Sequence, residues 1–178
     1  MGDFFQNGTI ATLHDFDSRT TAELEAELKL FSAYRPMEII LPSLFSELEG
    51  DALPNIVEQI ACTDYLNHVV IGLDRADRDQ YEYAFEFFTR LKQPFSMLWN
   101  DGPRLKAIQH ELEDKGLGPT EAGKGRNVWY CIGMVNARGK ADAVGIHDCD
   151  VLTYDRRLLA RLLYPVANPN FSFEFCKG

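Results

Sequence analysis

Cysteine is scarce and scattered in this chain. Its four cysteines, Cys62, Cys131, Cys149 and Cys176, form no C-x-x-C pair. That spacing argues against a structural zinc site and a disulfide framework, so reduced thiols in a cytoplasmic setting are the expectation. Positive charge is scarce too. Eighteen Lys and Arg against 27 Asp and Glu leave a formal charge of −9 and a pI near 4.9. An acidic chain of this kind disfavours nucleic acid and anionic membrane as main partners, and any phosphate site must be a local positive focus. No apolar run approaches 18 residues, and no basic segment followed by an apolar stretch opens the chain. Neither a membrane span nor a signal peptide is therefore expected. Of the four histidines, His14, His68 and His110 share no spacing that suggests a joint site. No Ser-His-Asp or Cys-His arrangement assembles, and no catalytic nucleophile or base is nominated.

What is present is apolar material in short, regular pieces. The 178 residues, 46% of them apolar, suit one domain with a sizeable core. Residues 1–20 read as an extended arm. Thr20-Thr21-Ala22-Glu23 then opens a helix by the capping-box pattern, with Leu24, Leu28 and Phe31 on one face and Arg35-Pro36 as its stop. Residues 38–41 form a first strand closed by Pro42 and Ser43, 52–62 a helix, and 68–73 a second buried strand ending at Asp74. A helix over 78–91 carries Tyr81, Ala84, Phe85 and Phe88 as a core stripe. A third strand spans 95–99, and Leu105, Ile108 and Leu112 mark a helix to about 115. A loop over 116–125 precedes a helix from about 126 to 137, and 143–146 reads as a buried strand. A helix over 155–163 stops at Tyr164-Pro165, and the alternating tail 170–175 suggests an edge or antiparallel strand. This alternation implies an α/β fold, a mainly parallel sheet flanked by helices on both faces.

The strand over 143–146 runs into His147-Asp148-Cys149-Asp150. Ligands of open α/β sheets sit beyond the carboxyl ends of the strands, so Asp-x-Asp there sets hard oxygen ligands where a bound phosphate and its Mg²⁺ or Mn²⁺ would lie. The same two aspartates equally suit a turn and a helix cap. His147 fits either a metal ligand or a hydrogen-bonded strand end, and Cys149 fits a buried, inert thiol. Gly118 to Gly125 nearly spells a nucleoside-triphosphate loop, but Gly125 replaces the metal-binding hydroxyl and no strand leads into it. What remains is a glycine pair around Lys124 at a helix start, where backbone N–H groups and one ammonium favour an anion.

Leu41-Pro42-Ser43-Leu44, Val70-Ile71-Gly72-Leu73-Asp74, Gly123-Lys124-Gly125-Arg126-Asn127 and His147-Asp148-Cys149-Asp150 stand in one order. That series resembles the nucleotide-sugar half of GT-A glycosyltransferases, a Rossmann-like nucleotide-binding unit. More narrowly, it is similar to the glucosyl-3-phosphoglycerate and mannosyl-3-phosphoglycerate synthases. The resemblance implies a metal-dependent, retaining hexosyltransferase. Its donor would be a nucleoside diphosphate sugar of the UDP-glucose or GDP-mannose type, and its acceptor a small molecule such as 3-phosphoglycerate or glycerate. Carried over residue by residue, Pro42, Leu44 and Glu47 line the nucleoside pocket, and the loop at Asp74 meets the base or ribose. Lys124 meets the nucleotide, while Asp148 and Asp150 hold the ribose and the Mg²⁺ or Mn²⁺, with Asp150 the favoured metal ligand.

Two departures stand out. The family carries Asn-Glu-Glu where this chain has Phe45-Ser46-Glu47, so only the last carboxylate matches. Family members are also much longer, which makes the chain an expected donor-binding fragment. Residues 1–37 would be an arm and helix docking on a nucleotide-sugar-binding domain, 38–178, truncated at its carboxyl end. A homodimer is left open. Two other readings compete: a nucleotidyltransferase, which also gathers carboxylates around Mg²⁺, and an α/β module that binds a nucleotide without catalysis.

Overall fold

The computed structural model describes residues 10–12 and 19–177. Most of the expected amino-terminal arm lies outside the described residues. In chain order the elements are β1 (Ile10–Thr12), α1 (Thr21–Ser32), β2 (Met37–Leu44), a 3₁₀ turn (Phe45–Glu49) and α2 (Ala52–Ala61). There follow β3 (Leu66–Asp74), α3 (Arg78–Phe88), β4 (Phe95–Trp99), α4 (Pro103–Asp114) and α5 (Lys124–Arg138). β5 (Ala143–Ile146), α6 (Arg156–Ala167) and β6 (Phe175–Lys177) close the series. Among the described residues no helix is long and apolar enough to cross a membrane.

Four strands form one parallel sheet in the order β4-β3-β2-β5. Alternate side chains of β2 and β3 point to opposite faces, as the pleat requires. Ile39, Leu41, Val69, Ile71 and Leu73 meet α1, α2, α3 and α6 in the larger core, while Ile40 and Val70 meet Cys131 and Val135 of α5. The expected layering of helices on both faces is thus present. Truncating one of the fully buried residues, such as Ile56 or Leu53, would cost about 2–5 kcal/mol through lost burial and the cavity left behind.

Helix starts follow local chemistry. Thr20 and Glu23 make the expected capping box, with the Thr20 N–H donating to Glu23 Oε2 at 2.7 Å. Asp77 and Gln80 make a second one at α3, with both bonds at 2.9 Å. Asp155 accepts from the Leu158 N–H at 2.9 Å to start α6.

Several expectations are corrected. Pro42 does not close its strand: β2 continues to Leu44 and pairs Pro42 with Gly72 of β3. A proline is tolerated there because β5 pairs β2 only as far as Ile40, so the opposite side of Pro42 needs no ladder donor. β5 is not fully buried. It is an edge strand whose Val144 and Ile146 are exposed. In α3 the core takes Ala84, Phe87 and Phe88, whereas Phe85 lies on the outside against Phe95. In α4 only Leu105 is buried, and Ile108 is exposed. Helix α5 starts at Lys124, not 126. Pro165 does not stop α6, which runs on to Ala167. Burial of Leu163 and Ala167 outweighs the single hydrogen bond the proline forgoes. The tail is strand only over Phe175–Lys177, and it pairs parallel with β1.

Candidate nucleotide-binding site

From β2 the chain builds outward through β3 and β4 with helices on one face, then crosses by α5 on the other face to reach β5. The order therefore reverses between β2 and β5. At such a switch point two loops diverge to opposite faces and leave a crevice at the carboxyl ends of the strands. A cleft of about 180 Å³ opens there. Pro42, Leu44 and Glu47 border it from β2 and the turn after it, and Asp74 from the end of β3. Lys124 borders it from α5, and Asp148 and Asp150 from the loop after β5. All seven expected site residues thus meet in one place. Two larger hollows lie elsewhere. One, of about 740 Å³, is at the amino ends of the strands beside Glu38, His68 and Arg138; the other, of about 930 Å³, runs between β5, α6 and β6. Of the seven, only Asp148 borders either.

Local structure explains each position. Gly123 caps α5 with φ 151°, a conformation that side chains rarely adopt, so the turn before Lys124 needs glycine. Lys124 then stands at the first position of the helix, and its Nζ pairs with Asp148 Oδ1. Both partners are about half exposed, so the pair adds little stability. Its effect is to hold an ammonium on the cleft rim. Behind it, Asn127 locks the helix to the sheet. Its buried Nδ2 donates to the Gly72 carbonyl at 2.8 Å. A Cβ on Gly72 would lie 1.7 Å from Asn127 Oδ1, so only glycine permits this close approach.

The carboxylates differ in their engagement. Glu47 Oε2 accepts from the Leu44 N–H at 2.8 Å, which holds the turn after β2 in place. Buried Asp74 accepts from the Arg75 N–H at 3.1 Å through Oδ1. Asp148 is tied to Lys124. Asp150 is exposed and makes no hydrogen bond or ion pair with the described residues. Among the described residues no three ligating side chains converge as a closed metal site.

His147 and Cys149, between and beside the aspartates, turn inward. The His147 backbone N–H donates to the Ile40 carbonyl at 3.1 Å, which swings its ring into the interior edge-on to Tyr154. Burial pushes its pKa down to about 4, and Nε2 has no hydrogen-bond partner. Burial likewise pushes the Cys149 thiol far up, as an inert interior cysteine requires. Sequence reasoning missed Arg75, Ser43 and Asn127, which also border the cleft. Asn127 closes one of the quoted motifs, but the glycine that accommodates it is 55 residues away in the chain, so its role was not legible.

No family model matches the chain. Two curated relatives do. Glucosyl-3-phosphoglycerate synthase of Persephonella marina is 43% identical over 178 residues, covering 100% of this chain and 44% of the relative. The synthase of that name from Methanococcoides burtonii is 36% identical over 177 residues, covering 99% and 43%. Among solved structures, glucosyl-3-phosphoglycerate synthase of Mycobacterium tuberculosis in complex with Mn²⁺, UDP and glucosyl-3-phosphoglycerate superposes with a TM-score of 0.57 at 18% identity. The same enzyme with phosphoglyceric acid gives 0.56 at 17%, and both matches cover 90% of this chain and 48% of the solved one. At that identity the structures establish a shared fold. The chain spans less than half the length of the curated relatives it matches, and over its whole length it is similar to the corresponding part of proteins named glucosyl-3-phosphoglycerate synthase.

Proposed function

We propose that this chain is the donor-binding part of a metal-dependent, retaining glycosyltransferase that moves glucose from a nucleoside diphosphate sugar to 3-phosphoglycerate. The observation that carries the reading is the convergence of Glu47, Asp74, Lys124, Asp148 and Asp150 on one cleft at the switch point of the sheet. The similarity to synthases named for this reaction supports it. A uridine donor is favoured over a GDP-mannose type because the solved relative holds UDP.

The residues present fit a hard divalent cation, Mg²⁺ or Mn²⁺. Asp150 is exposed and unengaged among the described residues, and Asp148 stands two residues away. Such a cation draws one or two ligands from protein and the rest from phosphate and water, so the absence of a third side chain among the described residues suits it. When bound, it supplies charge neutralisation for the departing diphosphate. Lys124, at the first position of α5 and on the border of the cleft, acts on that same charge together with the positive end of the helix dipole, both being in place before the reaction begins. Pro42 and Leu44 offer the nucleoside an apolar wall, and Asp74 offers an acceptor for a hydroxyl or ring N–H.

Calorimetric titration of the chain with UDP and UDP-glucose, with and without Mn²⁺, tests the reading. Diphosphate binding that requires the metal is the expected result. A preference for UTP would favour nucleotidyl transfer instead, and no binding of any nucleotide would overturn the proposal.

A further inference from the structure

We propose that Arg75, at the end of β3, is a specificity-determining residue for the nucleoside end of the bound donor, an inference that rests on the function proposed above. Among the described residues it is the one non-glycine residue in the left-handed region, with φ 56°. Any branched or long side chain is strained there, and such strain persists only where the surroundings impose it. The surroundings do so from both sides. The Arg75 N–H donates to Asp74 Oδ1 at 3.1 Å, and the Ala76 N–H donates to Asp101 Oδ2 at 3.1 Å. The Ala76 carbonyl accepts from Trp99 Nε1 at 2.8 Å, and Asp77 is already the cap of α3. The clamped turn sets Arg75 in the wall of the cleft.

Charge points the same way. The cleft gathers Glu47, Asp74, Asp148 and Asp150 against two cations, Lys124 and Arg75. Lys124 is paired with Asp148, whereas the Arg75 guanidinium has no hydrogen bond or ion pair with the described residues. An exposed, unengaged guanidinium in an acidic cleft is a donor set waiting for an acceptor. Strand order says which part of the ligand it meets. β2 stands between β5, which leads to Asp148 and Asp150, and β3, which leads to Arg75. A nucleotide whose diphosphate lies at the two aspartates therefore extends its nucleoside towards β3. There the Asp74 acceptor adjoins the Arg75 donors, and a planar guanidinium either hydrogen-bonds the edge of a base or stacks on its face.

The test compares the wild type with Arg75→Ala, Arg75→Gly and Arg75→Lys. Dissociation constants are measured for UDP, GDP and ADP with Mn²⁺, and for Mn²⁺-pyrophosphate as a probe without a nucleoside. Arg75→Ala and Arg75→Gly should bind UDP about 10- to 150-fold more weakly, the range for a hydrogen bond to a charged group. The ratio of UDP to GDP and ADP affinity should shift, and pyrophosphate binding should stay as it was. Arg75→Gly should melt no lower than the wild type, since glycine relieves the left-handed backbone, which separates lost binding from lost folding. Arg75→Lys should not restore the base preference. Unchanged UDP affinity in Arg75→Ala overturns the inference, and so does an equal loss for pyrophosphate and every nucleotide. A wild type that binds no nucleotide overturns the proposed function itself, whereas a binding wild type with an unaffected Arg75→Ala overturns this assignment alone.

Discussion

Asp150 and Lys124 carry the sharpest expectations at the residue scale. The other cleft carboxylates are occupied: Glu47 by the Leu44 N–H, Asp74 by the Arg75 N–H, Asp148 by Lys124. Asp150 alone of the four has no partner among the described residues, so a cation can take it without breaking a contact. Asp150→Ala should abolish Mn²⁺-dependent UDP binding and leave the circular dichroism spectrum unchanged. Retained metal dependence would reduce the Asp-x-Asp pair to turn residues. Lys124→Ala should weaken UDP binding by about 1–3 kcal/mol, the value of one charge-assisted hydrogen bond. Calorimetry reads this directly, and equal affinities would leave Lys124 as a surface lysine that only pairs with Asp148.

At the scale of elements, the cleft depends on how α5 is held. The helix contributes Lys124 at its first turn, and its depth is set by Asn127 against Gly72. Gly72→Ala would drive a methyl into Asn127 Oδ1 and to 2.6 Å from Cys131 Sγ. Overpacking of this kind costs about 1–3 kcal/mol or more. Urea denaturation should show that loss, and UDP binding should weaken because Lys124 moves with the helix. Gly125→Ala, one residue after Lys124, is the contrasting variant. Nothing lies within 4 Å of its would-be Cβ, so an alanine there should hold or raise stability by up to about 1 kcal/mol. A Gly72→Ala protein as stable as the wild type would mean that the α5–β3 contact yields easily and does not set the site.

For the whole molecule, two buried histidines set the response to acid. His68 hydrogen-bonds Ser96 Oγ at 2.9 Å, and His147 packs on Tyr154. Burial lowers both pKa values to about 4, from 6.5 in an unfolded chain. The unfolded state therefore binds these protons first. Stability is complete above pH 6.5 and is lost as the pH falls from there towards 4, by up to about 1.4 kcal/mol per pH unit for each histidine. Urea midpoints at pH 7, 6 and 5 should fall in that order, and His68→Gln should flatten the slope. A midpoint independent of pH over this range would contradict the neutral, buried assignment. On the catalytic side, the expectation for these 178 residues tested alone is binding without efficient transfer. The curated relatives carry more than half of their length outside the matched region, and holding an acceptor at the reacting carbon is worth about 7–11 kcal/mol. Incubation with UDP-glucose, Mn²⁺ and 3-phosphoglycerate should yield little phosphorylated glycosyl product. Turnover at an ordinary enzymatic rate would mean that the acceptor site lies within this stretch.

The sequence by itself determined what is local. Apolar runs marked β2 and β3, because a buried parallel strand needs nearly continuous hydrophobic residues whatever its neighbours. Thr20 and Glu23 marked the start of α1 because a capping box closes within four residues. The seven cleft residues were legible because the motifs that carry them resemble those of a known family, and each stands at or just beyond the carboxyl end of a strand or opens a helix, positions that an α/β sheet turns to one rim. Only the tertiary structure decided what depends on a partner distant in sequence. That β5 is an edge, that Phe87 and not Phe85 faces inward, and that α6 continues through Pro165 follow from what packs beside them. The same holds for Arg75. Nothing in its own sequence neighbourhood prescribes a left-handed backbone, which is imposed by Asp101 and Trp99, more than twenty residues further along the chain.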